Sequence, residues 1–215
     1  MNYSISILES QHDEIKNHLY SGDGKESVAI ALCGQYKHLS ECRLLIQRIF
    51  LLPNDESVSR DINYIKWQTE KLVPYLKEAQ ESGLSIIKIH SHPSNFREFS
   101  SLDDKADKAL FPCIYSWIEQ DLAHASAIML PDGSMIGRIV TEAGEFLKIS
   151  VIKYIGKRIK FWFPNELENI ETNELDLRNI QAFGEGTINL LKTLTIGVVG
   201  CSGTGSLPNL ELLEN

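Results

Sequence analysis

Two spacings of apolar residues alternate along the chain, and they divide it into elements. Ile15 and Leu19 lie on one face of a helix that Ser10-Gln11-His12-Asp13 opens in the manner of a capping box and Ser21-Gly22-Asp23-Gly24 ends. Residues 26–33 (ESVAIALC) form a short apolar run, which predicts a buried strand, and a second strand is expected near 43–51, before a polar loop at 53–59. A helix is predicted over 69–79, where Pro74 requires either a late start or a kink. Residues 85–90 (SIIKIH) read as a strand running into Pro93-Ser94-Asn95, and a helix follows from Ser100 to about Leu110, with Pro112 as its expected break. Strands at 123–130 and 134–140 flank Pro131-Asp132-Gly133, a hairpin signal, and further strands are expected at 146–154 and 158–163.

Helices and strands alternate early and antiparallel strands dominate later, so the pattern predicts a mixed α/β (α+β-like) sheet. Residues 164–177, rich in Asn and Glu, read as a linker. No internal repeat is evident.

Composition narrows the functional classes. The 215 residues are 43% hydrophobic and 23% charged, which suits a globular chain with a real core. A formal net charge of −8 argues against a nucleic-acid partner, because phosphate binding needs clustered Lys and Arg. The basic aromatic stretch 153–163 fits an edge hairpin better than an RNA surface. Four scattered cysteines do not form a disulfide framework, and neither a leader nor a membrane-length apolar run stands out. A soluble cytoplasmic protein is expected.

The informative segment is His90-Ser91-His92-Pro93 with Ser100 and Asp103 behind it. Residues two apart on a strand face one side, so both imidazoles can meet one ion. The chain then returns to Asp103 at a helix start. Two histidines and a carboxylate, with a fourth position for water, make the open tetrahedral set of a catalytic zinc site. The plainer alternative is that Ser100-x-x-Asp103 only caps a helix. His124 reads as a partly buried core histidine, His12, His18 and His38 as surface, and Cys33 and Cys113 as core.

H-S-H-P, six intervening residues and S-x-x-D together resemble the JAMM motif of the JAB/MPN metalloprotease family, which includes zinc-dependent deubiquitinases. Glu26, heading ESVAIALCG, matches the upstream glutamate of that pattern. The resemblance implies a JAB/MPN fold over 1–163, a central mixed sheet flanked by helices. It implies zinc held by His90, His92 and Asp103, with Glu26 as general base and then acid, and Ser100 as hydrogen-bond donor to the oxyanion. The implied reaction is hydrolysis after the carboxy-terminal tail of a ubiquitin-like protein, free or conjugated. Taken without the motif, Glu26 is a solvated carboxylate or a partner for Lys25.

Near the end, residues 194–199 (LTIGVV) run into Gly200-Cys201-Ser202-Gly203-Thr204-Gly205, a strand entering a glycine turn. With Arg178-Asn179-Ile180-Gln181-Ala182-Phe183-Gly184 ahead of it, this resembles the opening of ThiF-type adenylating domains, which implies a nucleotide loop at Gly200, Gly203 and Gly205. Ser202 stands where that loop has a glycine. The stretch that follows is shorter than the ~30 residues of one βαβ unit. Residues 178–215 are therefore expected to be only the start of such a domain, with no ATP chemistry of their own. The missing remainder and a conjugating enzyme are candidate partners. Two rivals remain: a metal-free MPN scaffold that binds partners, and a nucleotide-binding regulator using the glycine loop.

Overall fold

The computed structural model describes residues 1–164. Strand β1 (Asn2–Leu8) leads into helix α1 (Glu9–Leu19), followed by β2 (Val28–His38) and β3 (Glu41–Leu51). A small hairpin, β4 (Ser59–Asp61) and β5 (Tyr64–Lys66), precedes α2 (Val73–Ser82) and β6 (Ser85–Ser91). Helix α3 (Ser101–Trp117) then leads to β7 (His124–Met129), β8 (Met135–Val140), β9 (Phe146–Ile155) and β10 (Ile159–Trp162).

The main sheet closes on itself. Its order is β1-β3-β2-β6-β7-β8-β9, β9 pairs back onto β1, and β10 adds to β9. The pairings β1–β3, β1–β9 and β6–β7 are parallel and the others antiparallel. This corrects the expected fold class: the chain forms a closed seven-strand mixed barrel with few helices, not a helix-flanked α/β sheet of JAB/MPN type. The strand that makes the difference is β1, to which the sequence reading assigns no element. Its Ile5 and Ile7 are fully buried between serines at positions 4 and 6, a period of two. It bridges β3 and β9, whose partner residues lie far along the chain, as in the pairing of Tyr3 with Ile149. Closure is a long-range fact that local periodicity does not carry.

The barrel interior is filled by Ile5, Ile7, Leu44, Ile46, Ile87 and Ile89, with Ile15 and Leu19 of α1 joining the same core. Small residues set the bore: Ala29, Ala31, Ala125 and Ala127 belong to this core. At Gly137 a Cβ would come within 2.9 Å of Ile149 Cδ1 and 3.3 Å of Ile152 Cδ1. Helices α2 and α3 cover the opposite side of β2 and β6, packing Leu76, Ala79, Phe111 and Ile114 against Val28, Ile30, Leu32 and Ile86.

At Pro74 the structure takes the late start, one of the two alternatives left open there, and the other local details depart from the sequence pattern. Helix α2 starts late, with Pro74 in its first turn, where a missing N–H costs nothing, and Gly83 ends it in the left-handed region (φ 64°). Helix α3 runs through Pro112 instead of breaking, because Phe111, Ile114 and the following Ile118 keep one buried face across it. Cys113 is exposed and His12 is buried against Tyr154 and Trp162, the reverse of their expected places. All of the linker expected at 164–177 except Pro164, and the segment 178–215 with Gly200, Gly203 and Gly205, lie outside the described residues.

Candidate metal centre

The centre forms where β6 leaves the barrel and α3 begins. Side chains alternate along β6: Ile87 and Ile89 enter the barrel core, whereas Ile86 packs under the helices. The even face therefore carries His90 toward the amino terminus of α3. His92 lies just past the strand end, where its N–H donates to Met129 O at 3.0 Å. The Tyr20 hydroxyl donates to the same carbonyl at 2.7 Å, which fixes that junction from the side of α1.

Asp103 meets both histidines. His90 Nε2 is 3.0 Å from Asp103 Oδ1, His92 Nε2 is 3.4 Å from Asp103 Oδ2, and the two Nε2 atoms are 3.1 Å apart. For donors about 2.0–2.1 Å from a four-coordinate zinc, a tetrahedron has edges of about 3.3–3.4 Å. The observed 3.0–3.4 Å are hydrogen-bond distances that approach this spacing, so the three residues could hold a metal ion. They are the one group of three or more His, Cys, Asp or Glu residues among the described residues whose ligand atoms all lie within 4.8 Å of one another. His92 Nδ1 sits 2.8 Å from Phe96 O and donates to that carbonyl, which fixes the ring with Nε2 toward Asp103. His90 Nδ1 is buried without a partner, so nothing on that side competes for the ring's orientation.

Asp103 is shaped by its helix start. Ser100 N donates to Asp103 Oδ2 at 2.7 Å, the Ser100 hydroxyl donates to the same oxygen at 2.7 Å, and Asp103 N donates back to Ser100 Oγ at 3.2 Å. The capping box and the convergence on the histidines are therefore one arrangement, not alternatives. In this geometry the Ser100 hydroxyl proton is committed to Asp103.

The electrostatics follow from the packing. Burial opposes the Asp103 carboxylate, but hydrogen bonds from His90, His92 and Ser100 outweigh it and hold the group far below the usual carboxylate range. Burial lowers the His90 pKa. It acts the same way on His92, where bonds to Asp103 and Phe96 O reverse the sign and raise it. Glu26 is 4% exposed, and burial, with Asp103 adding repulsion, pushes its carboxyl up to about 8.

Glu26 lies just before β2 and does not join the three converging residues. It lines an open cleft of about 550 Å³ with His92, Ser100, Asn63, Phe96 and Leu102. A small adjoining cavity of about 70 Å³ is lined by Glu26, Lys88, His90 and Asp103. That is ample for a water, which needs ~10–15 Å³. Its main chain is clamped: Glu26 N donates to Asp61 O at 2.9 Å, and Arg60 Nε donates to Glu26 O at 2.6 Å. Next to it, Ser27 N donates to Ser91 Oγ at 2.9 Å, tying the segment to the residue between the two histidines.

The sequence reading missed a layer beneath this site. Lys88 donates to Asp107, which is fully buried, and Arg138 reaches the same carboxylate. The signal was present as a lysine inside an otherwise apolar strand, which demands a buried anion. Asp104 points away from the histidines to Arg138.

No family model and no curated protein matches the chain. Among solved structures, the solution structure of protein DSY2949 from Desulfitobacterium hafniense is similar at 15% identity and a TM-score of 0.44, over 71% of this chain and 95% of that one. No helix among the described residues is long and apolar enough to cross a membrane.

Proposed function

We infer that the protein is a zinc-dependent peptidase or isopeptidase that cleaves after the carboxy-terminal tail of a ubiquitin-like protein, in a conjugate or a precursor. The observation that carries the reading is the convergence of His90, His92 and Asp103 at 3.0–3.4 Å beside a separate buried carboxyl, Glu26, on the same cleft. The closed barrel removes the fold from the argument. The substrate class rests on the resemblance of Glu26, His90, His92, Ser100 and Asp103 to the JAMM pattern.

His90 Nε2, His92 Nε2 and an Asp103 oxygen would hold the ion. When bound there, zinc supplies Lewis-acid polarisation of the scissile carbonyl and lowers the pKa of its water toward ~7. Glu26 takes a proton from the attacking water on its carboxylate and returns it to the departing amine nitrogen, so the peptide bond opens with no net proton change at the enzyme. Ser100 orients Asp103 and lines the cleft, from which its Oγ would be the hydrogen-bond donor to the oxyanion. Phe96 and Leu102 give the cleft an apolar rim against which an extended tail can lie. The cysteines described, Cys33, Cys42 and Cys113, are free, which accords with a cytoplasmic setting.

The test is incubation of the full chain with ubiquitin-like conjugates and precursors, with and without a chelator, alongside metal analysis. Stoichiometric zinc and chelator-sensitive cleavage are expected. Sub-stoichiometric metal that His92→Ala leaves unchanged would replace the enzyme with a binding scaffold.

A further inference from the structure

Arg138 rises from β8 beneath α3 and is 8% exposed. Its guanidinium carbon is 3.6 Å from the ring centroid of Phe146 and 3.8 Å from that of Phe99, so the planar group is stacked between two aromatic faces. Each of its three nitrogens makes a hydrogen bond. Nε and Nη2 donate to Asp107 Oδ2 at 3.2 and 2.7 Å, and Nη1 donates to Asp104 Oδ1. Lys88 takes the remaining Asp107 oxygen.

The register shows why these groups meet. Lys88, Ser126 and Arg138 lie directly opposite one another on β6, β7 and β8. Ser126 is fully buried, and its small side chain leaves room for the two long cations to reach one carboxylate. Charge balances within the array: Lys88 and Arg138 answer Asp104 and Asp107. Asp103, on the same helix start, has no cationic side chain from this array.

Arg138 does not touch Asp103, yet it holds the chain on both sides of it. Phe99 directly precedes the helix cap Ser100, packs on Ile128, Leu130 and Ile136, and has its ring 6.2 Å from that of His90. Asp104 and Asp107 follow in the first two turns of α3. We propose that Arg138 is the positioning residue of the metal centre, locking Phe99 and the start of α3 onto the barrel so that the Asp103 carboxylate converges on His90 and His92. The inference rests on the proposed metal centre. Lysine is a poor replacement for Arg138, because its compact ammonium lacks the planar face that lies between two rings and the rigid fork that reaches two carboxylates at once.

The experiment is a Co2+ titration of the metal-free full chain in competition with a chelator, recording the visible absorption of bound cobalt. It compares wild type with Arg138→Lys and Phe99→Leu, and thermal unfolding of each metal-free protein is measured in parallel. Both variants are expected to bind Co2+ about 10–100-fold more weakly, as when supporting partners of metal ligands are lost, with an altered cobalt spectrum. Phe99→Leu keeps an apolar side chain and provides the folded comparison if Arg138→Lys does not fold. Lowered thermal stability with wild-type affinity and spectrum in the folded variant overturns the positioning role. No cobalt binding by wild type, or undiminished binding by Asp103→Ala, overturns the metal centre itself and this role with it.

Discussion

The Nε–H of Arg60 donates to the carbonyl oxygen of Glu26 at 2.6 Å, while Arg60 Nη2 reaches Ser27 Oγ at 2.6 Å and Nη1 reaches Asp23 at 2.9 Å. No side-chain bond holds the Glu26 carboxyl, so its place in the cleft depends on this main-chain clamp. The hairpin β4–β5, which carries Arg60, is thus part of the site although it lies outside the barrel.

Arg60→Ala strips a charged donor from Glu26 O and Ser27 Oγ. It should cost about 1.5–3 kcal/mol in urea denaturation, the range for hydrogen bonds involving a charged group. Cleavage should fall by about 10²-fold, as for a small misplacement of a catalytic group. Normal cleavage in a destabilised Arg60→Ala protein would show that Glu26 is held by something else.

Glu26→Gln keeps the size of the side chain and removes its proton transfer. The variant should retain full zinc content and lose about 10²–10⁴-fold in turnover, the usual contribution of a general acid–base group. Metal analysis and a cleavage assay on the same preparation decide it. Loss of zinc would make Glu26 a ligand instead.

His124 supplies a pH effect on stability that is independent of the metal centre. Its ring is 0% exposed, its Nδ1 accepts from Ile86 N–H at 2.9 Å, and burial pushes its pKa down to about 4 from 6.5. The folded state therefore binds the proton less readily than the unfolded state. Stability from this residue is complete above pH 6.5 and is lost as pH falls through about 4, up to about 3 kcal/mol. Denaturation of wild type and His124→Gln across pH 7 to 4 should show a shallower acid loss in the variant. Parallel pH curves would remove His124 from the account.

Gly137→Ala tests the bore of the barrel. The added methyl would meet Ile149 Cδ1 at 2.9 Å inside a filled core, so destabilisation of about 1–3 kcal/mol is expected. A companion Ile149→Val change should recover part of it. If Gly137→Ala is neutral, the interior is looser than the packing shows.

The sequence was most legible where chemistry is local. His90 at the end of β6, His92 just past it, the proline after them and the capping pattern at Ser100 and Asp103 all fall between residues 90 and 103. What escaped was long-range. Arg138 lies inside the strand expected at 134–140, and only the packing of α3 onto β8 joins it to Asp107. Residues 2–8 carry a clear alternation, but their partners, β3 and β9, become neighbours only when the sheet curls. The same curling makes a closed barrel where a helix-flanked mixed sheet was expected.

That curling also sets an order of events during synthesis. The pairs Ser4–Val151 and Ser6–Lys153 join the first strand to one that is synthesised long after it. Until then β1 can add to β3 but keeps an open edge, a template for wrong partners. The closing step has high contact order and is expected to be the slow one. Chains interrupted before β9 would carry the histidines, Asp103 and Glu26 in full, yet leave the sheet behind them unsealed.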